Sequence, residues 1–291
     1  MPSLLLLLLR PARGDVDSTE VGHVAGAAEV AGKRRVRALL LDLEGTVYFK
    51  GRLIEGAARA VGEFRERGFL LRFLTNTDSK TARTIAGEVR EMGLQVAEEE
   101  VFTPARAVLQ FFRQHPGARC HCLLSRELGV EFAPFTGGEG PVDYVVVGDF
   151  RQSVSYDVLN AAFRHIMAGA EIIALQKGRY FVRAEGVNLD TGAFVQLFEY
   201  ASGKQATVLG KPAPGFFNMC LDELKVRAEE AAVVGDDVST DIVGAANIGA
   251  WAVLVRTGKF SAGALDGSPR KPDLVLDSLA DLPEYVEAAQ G

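Results

Sequence analysis

The chain has 291 residues, of which 48% are hydrophobic and 24% charged, a composition typical of a soluble globular protein with one large or two ordinary domains. A formal net charge of -6 argues against a nucleic-acid-binding surface or a polybasic membrane patch, so neither partner is expected. Three cysteines are too few, and odd in number, for a disulfide framework, which favours a reducing compartment such as the cytoplasm.

Residues 1–34 are predicted to form a disordered extension. The leucine run from Leu4 to Leu9 is too short to span a bilayer and has no basic segment before it. Asp15 and Glu20 argue against a transit peptide, which is normally poor in acidic residues. An organelle signal in this extension is the alternative to a cytoplasmic location.

The first predicted strand, Ala38 to Leu41, is an apolar run that indicates burial on both faces of a parallel sheet. It ends in Asp42 and, two residues later, Glu44. Gly45 permits a tight turn there, and carboxylate and carbonyl oxygens around one point suit a hard cation. An acidic turn without a metal is the alternative.

A helical pattern and a second strand, Phe69 to Leu74, follow at a spacing that predicts a parallel strand-helix-strand unit. Thr75 and Asn76 come directly after this strand, where a hydroxyl and a carboxamide would suit phosphoryl oxygens. Ordinary helix capping explains the same residues equally simply.

Three short apolar strands in the middle of the chain predict a separate α/β module. Lys177 and Arg179 flank a glycine after the last of these strands and would meet an anionic substrate, although a solvated turn is the alternative. Cys120-His121-Cys122 matches no standard zinc spacing, and its apolar neighbours favour a strand over a metal site. The three predicted strands are Cys120–Ser125, Tyr144–Gly148 and Glu171–Leu175.

Two further strand ends carry charged residues. Ala206 to Leu209 is followed by Lys211, whose direction Pro212 would fix, unless this is simply a lysine in a surface loop. Ala231 to Val234 is followed by Asp236, with Asp237 and Asp241 close behind. In one parallel sheet all four polar strand ends would lie along a single edge, where ligands bind.

The order of these segments resembles the haloacid dehalogenase superfamily of phosphoryl-transfer enzymes. That family has Asp-x-Asp-x-Thr after its first strand, Thr or Ser after the second, Lys after a third and an acidic pair after the fourth. The middle module resembles the large cap of the subgroup that includes the N-acetylglucosamine operon phosphatase. The implied fold is α/β, with a Rossmann-like parallel sheet core (35–103 and 183–291) and an inserted α/β cap (104–182).

The resemblance implies a Mg²⁺-dependent phosphatase that acts on a small phosphorylated molecule through an aspartyl-phosphate. Asp42 would be nucleophile and metal ligand, Glu44 the acid and base, and Lys211 the cation that holds phosphoryl oxygens. Subgroup members often associate through the cap, which implies a homodimer. The implied substrate-binding residues are Thr75, Asn76, Lys177 and Arg179, and the implied metal ligands are Asp42, Glu44 (main chain), Asp236 and Asp241, with Asp237 in reserve.

Glu44 departs from the family, which commonly has Asp at this position, although some subgroup members carry Asn or Ser. One extra methylene would misplace a group that must lie about 2.6 to 3.2 Å from its proton partner. A catalytically weak phosphoryl-binding or protein-interaction module of the same fold is therefore the alternative function. Transfer of the phosphoryl group to an acceptor other than water is a third.

Overall fold

The computed structural model of this chain describes residues 33–183 and 185–289. Most of the predicted extension (1–34) lies outside the described residues, so its disorder and targeting stay predictions. Its predicted end falls inside a strand, because Arg34 pairs in parallel with Val286. Within the described ranges, no helix combines the length and the apolar character that a membrane crossing requires.

The secondary structure alternates strands and helices along the chain. The strands are β1 (Arg34–Val36), β2 (Ala38–Asp42), β3 (Tyr48–Phe49), β4 (Arg52–Leu53), β5 (Leu70–Leu74), β6 (Val101–Phe102), β7 (Cys120–Leu123), β8 (Tyr144–Val147), β9 (Glu171–Ala174), β10 (Tyr180–Arg183), β11 (Gly186–Leu189), β12 (Thr207–Val208), β13 (Ala231–Gly235), β14 (Trp251–Val255), β15 (Leu274–Leu276) and β16 (Val286–Ala288). The helices are α1 (Ala57–Glu66), α2 (Ala82–Glu91), α3 (Pro104–Gln114), α4 (Arg126–Thr136), α5 (Tyr156–Met167), α6 (Thr191–Ser202), α7 (Pro214–Leu224), α8 (Val243–Ile248) and α9 (Ala262–Gly267).

Six strands form one parallel sheet in the order β15-β14-β13-β2-β5-β6. Its central strand is β2, in which Leu41 pairs with Val234 on one side and Phe73 on the other. All five residues of β2 are buried, as expected for a strand covered by helices on both faces. The predicted Rossmann-like core is confirmed, and the carboxyl ends of β2, β5 and β13 lie together at one edge.

Neighbouring residues of β2 pack into different layers because strand side chains alternate between the two faces of the sheet. Leu40 belongs to the same apolar cluster as Phe216 of α7, whereas Leu41 belongs to the cluster that contains Phe64 of α1. Both phenylalanines are fully buried, and burial of one such side chain stabilises a fold by about 2–3 kcal/mol. The two layers therefore hold the β2 strand, and the residue that ends it, rigidly in place.

A second parallel sheet has the order β12-β9-β8-β7, which confirms the three strands predicted in the middle of the chain. The prediction ended the cap at residue 182, but this sheet extends to Val208, which pairs with Ala174. Phe198 of α6 also packs into the apolar cluster of this sheet. The predicted boundary therefore divides a structural unit, because a two-residue strand joins its sheet through long-range pairing that sequence periodicity does not reveal.

The strand before Lys211 corrects a second expectation. β12 belongs to the second sheet, so the prediction that four polar strand ends share one sheet is wrong for this strand. The chain leaves β12 through Leu209, whose N–H donates to Ala174 O of β9 at 2.9 Å, and then turns toward the six-stranded sheet. Lys211 thus reaches the edge of that sheet from outside it.

Cys120 and Cys122 lie on β7, so the strand interpretation of this segment is confirmed. Their thiols lie 3.4 Å apart and, like that of Cys220, are free. His121, between them, packs its ring against that of His165 on α5, with 4.9 Å between ring centroids. The segment is a structural part of the second sheet.

The loop after β5 joins the two sheets. Ser79 O accepts a hydrogen bond from Ser125 Oγ at 2.7 Å, and Thr81 donates to Glu127 at the start of α4. Asp78 is only 7% exposed, and its carboxylate accepts hydrogen bonds from the second-sheet side of the junction. A buried acidic group therefore lies where the two sheets meet.

Asp78 makes the stability of the fold depend on pH. Burial, together with the nearby charges of Asp190 and Asp149, raises the pKa of Asp78 from 3.8 to about 7. Between these values the folded chain holds a proton that the unfolded chain has released, so the free energy of unfolding falls as pH rises, by at most about 1.4 kcal/mol per pH unit. Asp78→Asn, which cannot titrate, is expected to flatten this slope.

The measurement is urea unfolding of both proteins at pH 5, 6 and 7 with chelator present, so that metal binding does not contribute. Wild type is expected to lose more stability than Asp78→Asn between pH 5 and 7. Parallel pH dependences would contradict the assignment of this proton to Asp78.

Candidate active site

Four charged side chains meet at the edge of the six-stranded sheet. Lys211 Nζ lies 2.5 Å from Asp42 Oδ1 and 2.7 Å from Asp241 Oδ1. Carboxylate oxygens of Asp42, Asp236 and Asp241 all lie within 4.8 Å of one another. All four residues are at most 7% exposed. Of the predicted residues, these are the ones that the fold brings into a single cluster.

Burial dominates the electrostatics of this cluster. It raises the pKa of Asp42 above 3.8, that of Asp236 to about 6 and that of Asp241 to about 7. Burial alone would lower the pKa of Lys211, but the charges of Asp241 and Asp42 outweigh it and raise that pKa overall. The Lys211 ammonium thus stays charged, but this one positive charge does not balance the negative charge of the carboxylates around it.

The residues present fit a divalent cation. When all three carboxyls are ionised they leave two negative charges beside the one ammonium, and their donor atoms are all oxygen, which Mg²⁺ prefers. The Gly45 backbone is drawn against the cluster at a φ of +103°, where a Cβ would lie 2.0 Å from Asp236 Oδ2. Only glycine allows this approach. The close approach places the turn after β2 directly beside the carboxylates.

A loop that sequence analysis missed completes this side of the site. It follows β14, and Thr257 Oγ1 donates to Gly45 O, while Lys259 N donates to Asp236 Oδ2 at 2.5 Å. Gly258, at a φ of +58°, lies so close that a Cβ would be 2.4 Å from Gly45 Cα. The available signal was a Thr-Gly pair directly after an apolar strand, Trp251–Val255, at the same edge of the sheet.

Thr75 and Asn76 lie at the end of β5, beside Asp42, which pairs with Leu74. Thr75 is buried, and its hydroxyl lies 2.9 Å from Thr77 Oγ1. The amide of Asn76 is bound at both atoms by the main chain of Lys211: Oδ1 accepts from Lys211 N at 2.8 Å, and Nδ2 donates to Lys211 O at 2.9 Å. Asn76 therefore holds the backbone from which Lys211 extends.

Glu44 and Asp237 have different surroundings from the cluster. Glu44 is exposed, and its main chain forms a bridge with Tyr48 of β3. Asp237 Oδ1 accepts hydrogen bonds from Ser239 N at 2.8 Å and Ser239 Oγ at 2.6 Å. Asp237 thus caps the turn that leads to Asp241. Of the adjacent pair Asp236 and Asp237, only Asp236 therefore belongs to the carboxylate cluster.

Two protein-family profiles match the chain. Residues 39–134 match the profile described as haloacid dehalogenase-like hydrolase, and residues 208–282 match the one described as HAD-hydrolase-like. The chain is also 38% identical over 262 residues to the phospholysine phosphohistidine inorganic pyrophosphate phosphatase of Xenopus laevis, covering 88% of this chain and 96% of that protein. The chain belongs to the haloacid dehalogenase-like hydrolase family.

Other relatives place this family member in the capped subgroup predicted from its motifs. The haloacid dehalogenase-like hydrolase domain-containing protein 2 of Rattus norvegicus is 33% identical, covering 88% of this chain and 98% of that one. The structure superposes on NagD of E. coli with a TM-score of 0.78 at 26% identity, covering 85% and 98% of the two chains. The p-nitrophenyl phosphatase of Archaeoglobus fulgidus gives 0.79 at 27%, with the same coverage. These relatives identify a phosphatase-type hydrolase.

Lys177 and Arg179 lie on the loop between β9 and β10, outside the charged cluster. Lys177 Nζ forms an ion pair with the buried carboxylate of Glu199, at 2.7 Å from Oε2. Arg179 is exposed and lies near the ring of Tyr180. Their predicted contact with substrate stays a prediction.

The Thr257 hydroxyl is expected to contribute to metal affinity, because it fixes the Gly45 carbonyl in the turn that packs on Asp236. Thr257→Val keeps the shape and removes the donor, and we expect Mg²⁺ to bind about tenfold more weakly, as for other residues that orient metal ligands. Calorimetric titration with Mg²⁺ measures this directly. Thr257→Ser, which keeps the hydroxyl, is the matched control, and equal Mg²⁺ affinities for Val and Ser would contradict the role.

Proposed function

We propose that this hydrolase is a Mg²⁺-dependent phosphatase that acts on a small phosphorylated molecule through an aspartyl-phosphate on Asp42. The observation that carries the proposal is the buried cluster in which one lysine neutralises only part of the charge of three aspartates. A divalent cation would neutralise the remaining negative charge and, together with Lys211, would supply the positive charge that an anionic phosphoryl group needs. A magnesium complex is known for a structural neighbour, the glycerol phosphate phosphatase of Mycobacterium tuberculosis, at a TM-score of 0.76 and 29% identity, covering 85% of this chain and 76% of that one.

The proposed metal ligands are the side chains of Asp42 and Asp236 and the main-chain carbonyl of Glu44. Asp241 would orient a bound water or serve as a further ligand. When bound, Mg²⁺ supplies positive charge that offsets the charge of the phosphoryl group and holds that group for in-line attack.

Asp42 is the proposed nucleophile. Its Oδ1 is paired with Lys211, which leaves the other carboxylate oxygen to form a bond to phosphorus while the bond from phosphorus to the leaving oxygen or nitrogen breaks. Water then attacks the aspartyl-phosphate, releases inorganic phosphate and restores the Asp42 carboxylate. Lys211 counters the repulsion between Asp42 and the incoming phosphoryl oxygens throughout.

Thr75 and Lys211 are the proposed partners of the phosphoryl oxygens. For Asn76 we propose a positioning role in place of the predicted direct contact, because both ends of its amide hold the Lys211 backbone. Lys177 and Arg179 remain the proposed contacts for the rest of the substrate. Lys177 would then interact with the substrate while it also forms its ion pair with Glu199.

The proposed substrates are phosphoamino acids or pyrophosphate, in keeping with the name of the Xenopus relative. Substrates with a leaving group of low pKa, such as the phosphate of pyrophosphate, need little proton transfer when the bond to phosphorus breaks. Such substrates suit a chain that has Glu44 where the family commonly has Asp. They are the compounds on which turnover would be measured first.

The first test is phosphate release from pyrophosphate and phosphoamino acids with Mg²⁺ and with chelator. Turnover is expected only with Mg²⁺, and Asp42→Asn, which removes the nucleophilic oxygen charge, is expected to lose at least about 10³-fold. Asp222→Asn, exposed on α7, is the matched control and should retain activity. Turnover that survives chelation or Asp42→Asn would refute the proposal.

The exposure of Glu44 favours a second candidate, a module that binds phosphoryl groups with little turnover. The two are separated by Glu44→Asp and Glu44→Gln. If Glu44 is the acid and base of an active enzyme, Glu44→Gln is expected to lower kcat by about 10²-fold or more. If the protein is instead a phosphoryl-binding module, wild-type turnover should be negligible and Glu44→Asp should increase it.

We also propose a homodimer that forms through the cap. The pairs Tyr180–Leu189 and Val182–Val187 place four apolar side chains, each 56–72% exposed, on one face of the β10–β11 hairpin. Light scattering across a concentration series would show the dimer.

The free thiols of all three cysteines support a cytoplasmic location.

A further inference from the structure

One short loop carries residues for two different parts of the molecule. Thr75 lies at the phosphoryl end of the proposed site, and Asn76 holds the backbone of Lys211. Two residues later, Asp78 turns its carboxylate toward the second sheet, to side chains 98 and 113 residues further along the chain. The loop is therefore a physical link between the reacting centre and the cap.

The contacts of Asp78 are short and closed off from solvent. Its Oδ2 accepts from Thr191 Oγ1 at 2.5 Å and from Gln176 Nε2 at 3.3 Å, and both partners are at most 5% exposed. Gln176 Nε2 also donates to Asp190 Oδ1, at 2.8 Å, and Thr191 N donates to the same oxygen. Asp78 Oδ2, Gln176 Nε2 and Thr191 Oγ1 therefore all have partners in this network.

The same network holds the backbone of Lys177-Gly178-Arg179. Gln176 Oε1 accepts from Gly178 N, Gly178 O accepts from Gly192 N at 2.9 Å, and Arg179 O accepts from Asp190 N at 3.2 Å. The backbone of residues 177–179 is thus held by Gln176, which hydrogen-bonds to Asp78, and by the main chain on either side of Thr191. Burying a carboxylate costs free energy, and an apolar side chain would fill the space at less cost.

We propose that Asp78 is a positioning residue that fixes the cap loop 177–179 relative to the phosphoryl site and so tunes affinity for the leaving-group part of the substrate. This inference rests on the proposed phosphatase function. It concerns the cap side of the substrate only, and it assigns Asp78 no contact with the reacting atoms.

The test compares two phosphate donors that differ in leaving group: p-nitrophenyl phosphate, whose ring extends beyond the phosphoryl site, and acetyl phosphate, which has only two carbons beyond it. Thr191→Val should raise KM for p-nitrophenyl phosphate about fivefold, the effect of one lost hydrogen bond, and Asp78→Ala, which loses two, should raise it further, with kcat little changed in both. KM for acetyl phosphate should not move. Thr191→Ser, which keeps the hydroxyl, should restore the wild-type KM.

Thr103→Val is the control for a purely structural effect. Thr103 is equally buried and caps α3 through its hydroxyl, 3.1 Å from Arg106 N, but it has no bond to the Asp78 network. This variant should lower the melting temperature and leave both KM values at wild type. An equal loss of kcat on both substrates in Thr191→Val, with KM unchanged, would overturn the proposal.

A second measurement does not depend on turnover. Trypsin cleaves after lysine and arginine, so the rate of cleavage after Lys177 and Arg179, followed by mass spectrometry, reports how firmly the loop is held. Thr191→Val should accelerate it about fivefold over wild type and over Thr103→Val. Unchanged cleavage would overturn the positioning role, whereas an inactive wild type with accelerated cleavage in Thr191→Val would refute only the proposed phosphatase function.

Discussion

The ammonium of Lys211 between Asp42 and Asp241 is the interaction on which the site depends. Three carboxylates this close together and this deeply buried repel one another strongly, because little water is present to screen them. The Lys211 ammonium reduces this repulsion. With all three carboxyls ionised, two negative charges stay uncompensated. The unmet negative charge is what the divalent cation proposed for this site would neutralise.

The fold supplies Lys211 from an unexpected direction. The three aspartates follow strands of the six-stranded sheet, whereas the lysine follows a strand of the second sheet and is anchored by Asn76. The site is therefore complete only when the two sheets are correctly placed. The network around Asp78 joins them a few residues away, so a single loop contacts both the main chain of Lys211 and the second sheet.

How far sequence predicts this molecule depends on the range of the interactions involved. β2 and β13 are long apolar runs with acidic ends, and their local patterns were sufficient to place Asp42 and Asp236. β12 has two residues and no pattern of its own, so its sheet could not be predicted. The loop after β14 was not predicted to belong to the site, because it contacts the site through a main-chain N–H and a threonine hydroxyl, which are uncharged groups.

The sequence by itself determined the α/β class, the family and the four residues of the charged cluster, because apolar periodicity and polar residues at strand ends are local properties of the chain. The tertiary structure alone decided what surrounds them. It bound the amide of Asn76 to the main chain of Lys211, paired Lys177 with Glu199, extended the second sheet to Val208 and buried Asp78 between the sheets. Each of these depends on segments far apart in the chain meeting in space, and no local pattern encodes that meeting.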